Sequence, residues 1–124
     1  MQNNMHLKGA TGKLGEDVAA TFLVQSGFTI LQRNARYGGH EVDIIAREGD
    51  TIAFIEVKTR HAGSLAEPED NLSPRQIGHL RKAAHAYASD NADPDTYYRF
   101  DLVSVCLLAA DPPKVVLYRD AFSA

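Results

Sequence analysis

The feature that most constrains the fold is a pair of β-rich runs, Val42 to Ala46 and Thr51 to Val57, separated by a short link. The link is Arg47-Glu48-Gly49-Asp50, and a four-residue connection that contains glycine is a common hairpin loop. The sequence therefore predicts an antiparallel hairpin near the middle of the chain. Any architecture for this chain has to be built around that hairpin.

Apolar residues at helical spacing predict one helix on each side of the hairpin. The first helix runs from about Gly12 to Ser26 and is closed by Gly27, a residue typical of helix C-termini. The second opens at Ser73-Pro74, an N-cap followed by a proline at the first helical position. The apolar positions that define the two helix faces are Leu14, Val18 and Phe22, and then Ile77, Leu80, Ala84 and Tyr87.

Three further strands are predicted outside the hairpin. The first starts at Phe28 and runs toward Arg36. The second spans Tyr98 to Leu108, and the third spans Lys114 to Arg119. The polar stretch from His61 to Leu72 is predicted to be a loop. The resulting order, αβββαββ, favours one sheet covered by two helices in an α/β fold.

The length of the chain limits the number of domains, and its net charge limits the class of protein. At 124 residues the chain fits a single domain, residues 1–124, with a polar and disordered tail expected over residues 1–8. The net charge of −3 argues against a protein that coats nucleic acid by bulk charge. Residues 1–60 nevertheless carry seven basic and seven acidic residues, so a cation bound to the acidic ones would leave a locally positive surface.

The sequence gives no indication of a membrane segment or of a secretory signal. No run approaches the roughly 18 apolar residues that a membrane span requires, so no membrane partner is expected. The single Cys106 cannot form an internal disulfide, which fits a reducing compartment. A cytoplasmic location is the expectation.

The chemistry-bearing residues lie at one end of the hairpin. The apolar run from Ile52 to Ile55 is followed by Glu56 and Lys58, which share a strand face because side chains alternate. If the four-residue loop pairs Ala46 with Thr51, Asp43 lies diagonal to Glu56 on the same face, roughly 7–8 Å away between backbones. Two carboxylates could then converge on one cation, whereas a slip of one residue would separate them.

Mg²⁺ suits such a pair, because it takes oxygen ligands and usually accepts one or two carboxylates together with waters and substrate phosphate oxygens. Asp43, Glu56 and the backbone carbonyl of Val57 are the predicted metal ligands, with Mn²⁺ as a substitute ion. A bound cation lowers the pKa of water and so generates a nucleophile. Lys58 is placed to hold the phosphate or that water, which indicates phosphodiester hydrolysis.

Each of these assignments has a simpler structural alternative. Asp43 with Lys58 fits a surface ion pair worth about 0–1 kcal/mol. Glu16 is a further candidate acid, since the small residues around it on the helix would let it approach a sheet closely; the alternative is an exposed glutamate favoured by the helix dipole. Arg33 and Arg36 fit phosphate contacts or the solvated edge of a sheet.

The histidines give a weaker indication. His40 lies close to Glu41 and Asp43 but lacks partners at ligand spacing, so a solvated loop histidine is favoured over a transition-metal site. His79 and His85 are not four residues apart and are predicted to lie on the surface.

Together the motifs resemble the YraN-like family of small bacterial proteins, over residues of about 13 to 122. That family is similar to the PD-(D/E)XK nuclease superfamily, and more closely to archaeal Holliday-junction resolvases. The resemblance implies a restriction-endonuclease-like αβββαβ core with a mixed central sheet flanked by helices. The segments that carry it are Gly15-Glu16, Arg33-Asn34-Ala35-Arg36, Glu41-Val42-Asp43-Ile44-Ile45, Phe54-Ile55-Glu56-Val57-Lys58-Thr59-Arg60 and Arg99-Phe100-Asp101.

Residue by residue, the resemblance implies a catalytic set of Glu16, Asp43, Glu56 and Lys58. The chain departs from the pattern at Val42, where the superfamily often has proline, and at His40, where the family's glycine is expected. Neither departure removes a ligand. The candidate nucleic-acid contacts are Arg33, Arg36, Arg60, Arg75 and Gln76, of which Gln76 matches a polar position in only some branches.

Three functions compete. The first is a Mg²⁺-dependent endonuclease acting on DNA, such as branched recombination or repair intermediates, for which a homodimer would suit a two-fold substrate. The second is a nucleic-acid-binding module with the nuclease fold and little activity. The third is a protein-interaction subunit that uses the second helix or an edge strand. Clustered carboxylates near phosphate favour the first, since a binding module gains nothing from them.

Overall fold

The computed structural model describes residues 2–61, 72–91, 93–108 and 112–122, and only the backbone of residues 2–11. The described residues form two helices and five strands. These elements are α1 (Gln2–Gln25), β1 (Thr29–Tyr37), β2 (His40–Glu48), β3 (Thr51–His61), α2 (Pro74–Asp90), β4 (Tyr97–Leu107) and β5 (Lys114–Tyr118).

The five strands form one mixed sheet in the order β1-β2-β3-β4-β5. Strands β3 and β4 are parallel, and the other three neighbouring pairs are antiparallel. A parallel pair needs a crossover connection, which α2 provides between β3 and β4. The predicted α/β class, with a mixed sheet flanked by helices and an αβββαβ order, is confirmed.

The sheet separates two hydrophobic clusters. Ala19 and Leu23 of α1 pack with Ile55 on one face, while Leu80 and Tyr87 of α2 pack with Phe54 on the other. Ile55 and Phe54 are neighbours on β3, so both faces of this strand are buried. The central strand therefore anchors both helices.

The face that α1 buries differs from the predicted one. Leu14 is 51% exposed, and the buried contacts of α1 with the sheet are made by Ala19 and Leu23, while Val18 of the predicted face is only partly buried against them. Small residues on this face allow close packing, which the search for large apolar residues missed. The backbone is also helical from Gln2, well before the predicted start at Gly12. The expected disorder of residues 1–8 in solution stays a prediction.

The hairpin between β2 and β3 is tighter than predicted. Glu48 pairs with Thr51, and only Gly49-Asp50 lies between them. Gly49 has a φ of 64°, a conformation that glycine adopts at little cost in a tight hairpin turn. The register is therefore shifted by two residues from the expected one. Because strand faces alternate with a period of two, this shift keeps the paired residues 44–48 and 51–55 on their predicted faces.

Parts of the predicted organisation lie outside the described residues. These are most of the loop from His61 to Leu72 and the start of the link Asp111-Pro112-Pro113. Within the described part of the chain, neither helix combines the length and apolar character needed to cross a bilayer.

Candidate metal centre

The candidate site lies where β2 and β3 separate. Their pairing extends from the turn to Ile44 and Ile55. Beyond that point β2 remains paired with β1 as far as His40, and β3 remains paired with β4 as far as His61. We call this point the fork. Asp43 and Glu56 are the first residue of each strand beyond the fork.

A hydrogen bond from Val57 to Asp43 replaces the strand ladder at the fork. The Val57 N–H donates to Asp43 Oδ2 at 2.8 Å. The N–H and C=O of one strand residue point toward the same neighbouring strand, so the Val57 carbonyl lies on the Asp43 side as well. The fork thus positions a backbone oxygen beside the Asp43 carboxylate.

Asp43 and Glu56 interact across the fork, and a side-chain hydrogen bond between them contributes to the pKa shift of each. Burial, and then the charge of Asp43, raise the pKa of Glu56 to about 8. Burial also raises the pKa of Asp43, against the lowering effect of the Val57 hydrogen bond. The hydrogen bond lowers the pKa of Asp43 and raises that of Glu56, so Glu56 holds the shared proton at neutral pH.

Lys58 stands next to this pair. Its Nζ lies 3.9 Å from Glu56 Oε2, and its side chain is 24% exposed. The positive charge of Lys58 lowers the pKa of both Asp43 and Glu56. A lysine in this position remains accessible to an anion that approaches the carboxylates.

Glu16 approaches the same pair from α1. Burial, and then the charge of Asp43, raise the pKa of Glu16, and the charge of Glu16 in turn raises that of Glu56. Val42 packs in the cluster on the α2 side, whereas Ile44 packs in the cluster on the α1 side, so β2 breaks its alternation around Asp43. This irregularity explains how Asp43 interacts with Glu56 and also with a residue of α1.

Gly15 sets the distance between α1 and β3. A Cβ atom at this position would overlap Oγ1 of Thr59, whereas a Cβ at Gly12 would meet nothing within 4 Å. The absence of a side chain at Gly15 therefore lets the helix approach the strand and places Glu16 near the fork. Sequence analysis noted Gly15 in a motif without giving it a role. Its position next to the candidate acid was the available signal.

The candidate nucleic-acid contacts are dispersed. Arg33 binds acidic residues of α1, at 2.6 Å from Asp17 Oδ1 and 3.7 Å from Glu16 Oε1. Arg36 donates to the carbonyl of Gly39 at 3.2 Å. Arg33 is thus an internal partner of the candidate acid as well as a surface cation.

The remaining candidates lie on β3 and at the start of α2. Arg60 is half-buried on β3, and Arg75 is exposed in the first turn of α2. The side chain of Gln76 accepts a hydrogen bond from Ser73 N at 3.0 Å, within a capping box. Gln76 therefore stabilises the helix start, a role that sequence analysis did not consider.

His40 is not a solvated loop residue. It begins β2 and stacks on His79 of α2, with ring centroids 4.2 Å apart and planes 16° from parallel. Sequence analysis missed this pair because the two residues are far apart in the chain.

The donor atoms at the fork fit Mg²⁺ or Mn²⁺. Asp43, Glu56 and the Val57 carbonyl offer only oxygen, and Mg²⁺ typically takes one or two carboxylates and retains waters. In the described part of the chain, no group of three or more His, Cys, Asp or Glu side chains could hold a metal ion. Glu16 lies beside the pair, and its charge acts on Glu56.

Comparison with known proteins places the chain in a family. Residues 15–105 match the uncharacterised protein family UPF0102. The chain is 40% identical over 103 residues to a UPF0102 protein of Chloroherpeton thalassium, covering 83% of this chain and 80% of the relative. It is 36% identical over 117 residues to one of Geobacter sulfurreducens, covering 94% and 91%. It is 48% identical over 96 residues to one of Nitratidesulfovibrio vulgaris, covering 77% and 72%. The chain therefore belongs to the UPF0102, or YraN-like, family.

Proposed function

We propose that this protein is a Mg²⁺- or Mn²⁺-dependent nuclease that hydrolyses phosphodiester bonds in DNA. The observation that carries the proposal is the contact between Asp43 and Glu56 at the fork, with Lys58 beside them. Two partly buried carboxylates in contact are unfavourable unless a proton or a cation neutralises them. A cation-binding role explains why both acids occupy this position.

The residues divide the work of hydrolysis between them. Asp43, Glu56 and the Val57 carbonyl would hold the ion, which when bound supplies Lewis-acid activation of the phosphate. Lys58 orients the scissile phosphate and stabilises the negative charge that develops on it. Glu16, held by Arg33 at 3.7 Å, would accept a proton from a water molecule near the pair.

The proposal extends to the superfamily and to the substrate. The order of elements and the positions of Glu16, Asp43, Glu56 and Lys58 support a place in the PD-(D/E)XK nuclease superfamily, near the Holliday-junction resolvases. Branched recombination or repair intermediates are then the substrates to test first. A homodimer would match the two-fold symmetry of such a junction.

A second candidate function is nucleic-acid binding without cleavage. The observation that favours it is the hydrogen bond between Asp43 and Glu56, which satisfies both carboxylates with a proton instead of a cation. A module of this kind would keep the fold and the basic residues but would not use the fork.

The test is cleavage of branched, nicked and single-stranded DNA by the purified protein. Each substrate is incubated with Mg²⁺, with Mn²⁺ and with chelator. The nuclease proposal predicts metal-dependent products from wild type and none from Asp43→Asn, which keeps the shape of the side chain. A wild type that binds DNA but cuts none of these forms would overturn it and leave the binding module.

A further inference from the structure

The stacked pair of His40 and His79 joins the sheet to α2 beside the tight turn between β1 and β2. That turn packs directly on the helix, since a Cβ at Gly38 would lie 3.2 Å from the backbone oxygen of Lys82. The ring centroids are 4.2 Å apart. Two elements therefore hold the imidazoles in a defined position.

The charged groups that shift the pKa of His79 are all positive. Partial burial, then the nearby His40, Arg75 and Lys82, lower the pKa of His79. Among the described residues, no carboxylate contributes to that shift. Arg75 and Lys82 are both exposed, so their charges remain accessible at the surface.

This environment favours an anion over a metal ion. Two imidazoles can ligate a transition metal, but the neighbouring cations Arg75 and Lys82 would repel it. An anion instead gains from each of the cations and restores the proton to His79. We call His40, His79, Arg75 and Lys82 the basic cluster.

One residue of the basic cluster, His40, lies on the same strand as Asp43 at the fork. His40 is three residues from Asp43 on β2, a separation of about 10 Å at roughly 3.3 Å per residue. Each strand of double-stranded DNA advances roughly 3.4 Å per phosphate along the helix axis. A strand with one phosphate at the fork could therefore present another, about three nucleotides away, to the cluster.

We propose that the basic cluster binds a backbone phosphate of the nucleic-acid strand whose scissile phosphate lies at the fork. The proposal rests on the proposed function and names a second contact point for the same substrate. It adds Lys82 and the two stacked histidines to the candidate contact at Arg75. The phosphate positions the strand without reading its sequence.

The first test measures the affinity for a short single-stranded DNA, by fluorescence anisotropy in the presence of chelator. Lys82→Gln and Arg75→Gln remove exposed charges without altering the stacked rings. Each should lower the affinity severalfold and reduce the slope of log affinity against log salt by about 0.7, the value for one phosphate contact. The matched control is Lys114→Gln, an exposed lysine at the start of β5 on the opposite edge of the sheet. Variants that change affinity and slope no more than this control would overturn the proposal.

The second test follows the histidines themselves by NMR titration. Adding the DNA should raise the pKa of His79, because a bound phosphate stabilises the charged imidazole. The exposed His85 of the same helix serves as the control and should shift less. Inorganic phosphate is titrated in parallel. A response to phosphate alone, or to neither ligand, would contradict a nucleic-acid contact.

These measurements need no metal and no cleavage, so the two proposals can fail separately. Loss of affinity in the cluster variants, with a wild type that never cleaves, would support the cluster and reject the nuclease. Metal-dependent cleavage with unchanged binding by the cluster variants would support the nuclease and reject the cluster.

Discussion

At the scale of single residues, Glu56 shows what the fork does to an ordinary carboxyl group. Its pKa rises from 4.5 to about 8 through burial and the charge of Asp43. The folded state therefore binds the proton more tightly than the unfolded state does. This contribution to the free energy of unfolding is fully present below about pH 4.5, and it is lost as the pH rises through about 8.

The first prediction follows from the raised pKa of Glu56. Without metal, the free energy of unfolding should fall by on the order of a few kcal/mol between pH 4.5 and 8, since one pKa unit corresponds to about 1.4 kcal/mol. Glu56→Gln should flatten the profile and be at least as stable as wild type above pH 8. Urea denaturation at several pH values in chelator measures this. If the free energy of unfolding of wild type rises with pH over this interval, the carboxylates of Asp43 and Glu56 do not repel each other.

Lys58 supports the second prediction, which concerns mechanism. If Lys58 acts mainly on the charge of the transition state, Lys58→Ala should lower the cleavage rate by orders of magnitude and change the DNA affinity little. Single-turnover kinetics with a labelled substrate separate the two quantities, and Lys114→Ala controls for the loss of a surface charge. Cleavage by Lys58→Ala at the wild-type rate would refute this role.

At the scale of elements, α1 depends on a glycine for its place on the sheet. Gly15→Ala should lower the free energy of unfolding by roughly 1–3 kcal/mol, because the added methyl overlaps Thr59. Gly12→Ala is the matched control in the same helix. The methyl group added at Gly12 would meet nothing within 4 Å, so this substitution should stabilise the protein by up to about 1 kcal/mol. Thermal or urea unfolding of both variants gives the comparison.

Partial rescue would identify the cause of the Gly15 effect. Adding Thr59→Ala to Gly15→Ala removes the overlapping hydroxyl and should recover part of the lost stability. If both glycine variants behave alike, the close approach of α1 to β3 does not position Glu16.

Local sequence patterns predicted the helices and strands well. They did not predict the hairpin register or the buried face of α1. The order of helices and strands followed from apolar periodicity and from the cap at Ser73-Pro74. The predicted hairpin register was wrong because β2 extends through Arg47 and Glu48, so that Gly49-Asp50 alone forms the turn. The exposed Leu14 shows that apolar spacing misplaces a helix face when small residues make the contact.

The candidate site could likewise be predicted only in part from the sequence. Asp43 and Glu56 could be placed together because a two-residue shift in register preserves strand faces. The partners of Arg33 on α1 and of His40 on α2 could not be foreseen. Those contacts join residues that are distant in the chain and depend on how the helices pack.

At the scale of the whole molecule, the fork lies between two hydrophobic clusters that share the strand β3. The helix on one face presents Glu16, and the helix on the other presents the basic cluster. Both helices therefore pack on the sheet that carries the fork. A cation that replaces the shared proton should stabilise this arrangement, since it binds the folded chain only.

The central claim is that Asp43 and Glu56 hold the metal, and calorimetric Mg²⁺ titration tests it most directly. At pH 7 Glu56 carries the shared proton, because its pKa is about 8. Binding should then release about one proton per ion, measured as a dependence of the heat on the ionisation enthalpy of the buffer. The account predicts this release in wild type and weak or absent binding in Asp43→Asn and Glu56→Gln. Mg²⁺ binding of equal strength in these variants, or binding without proton release, would contradict it.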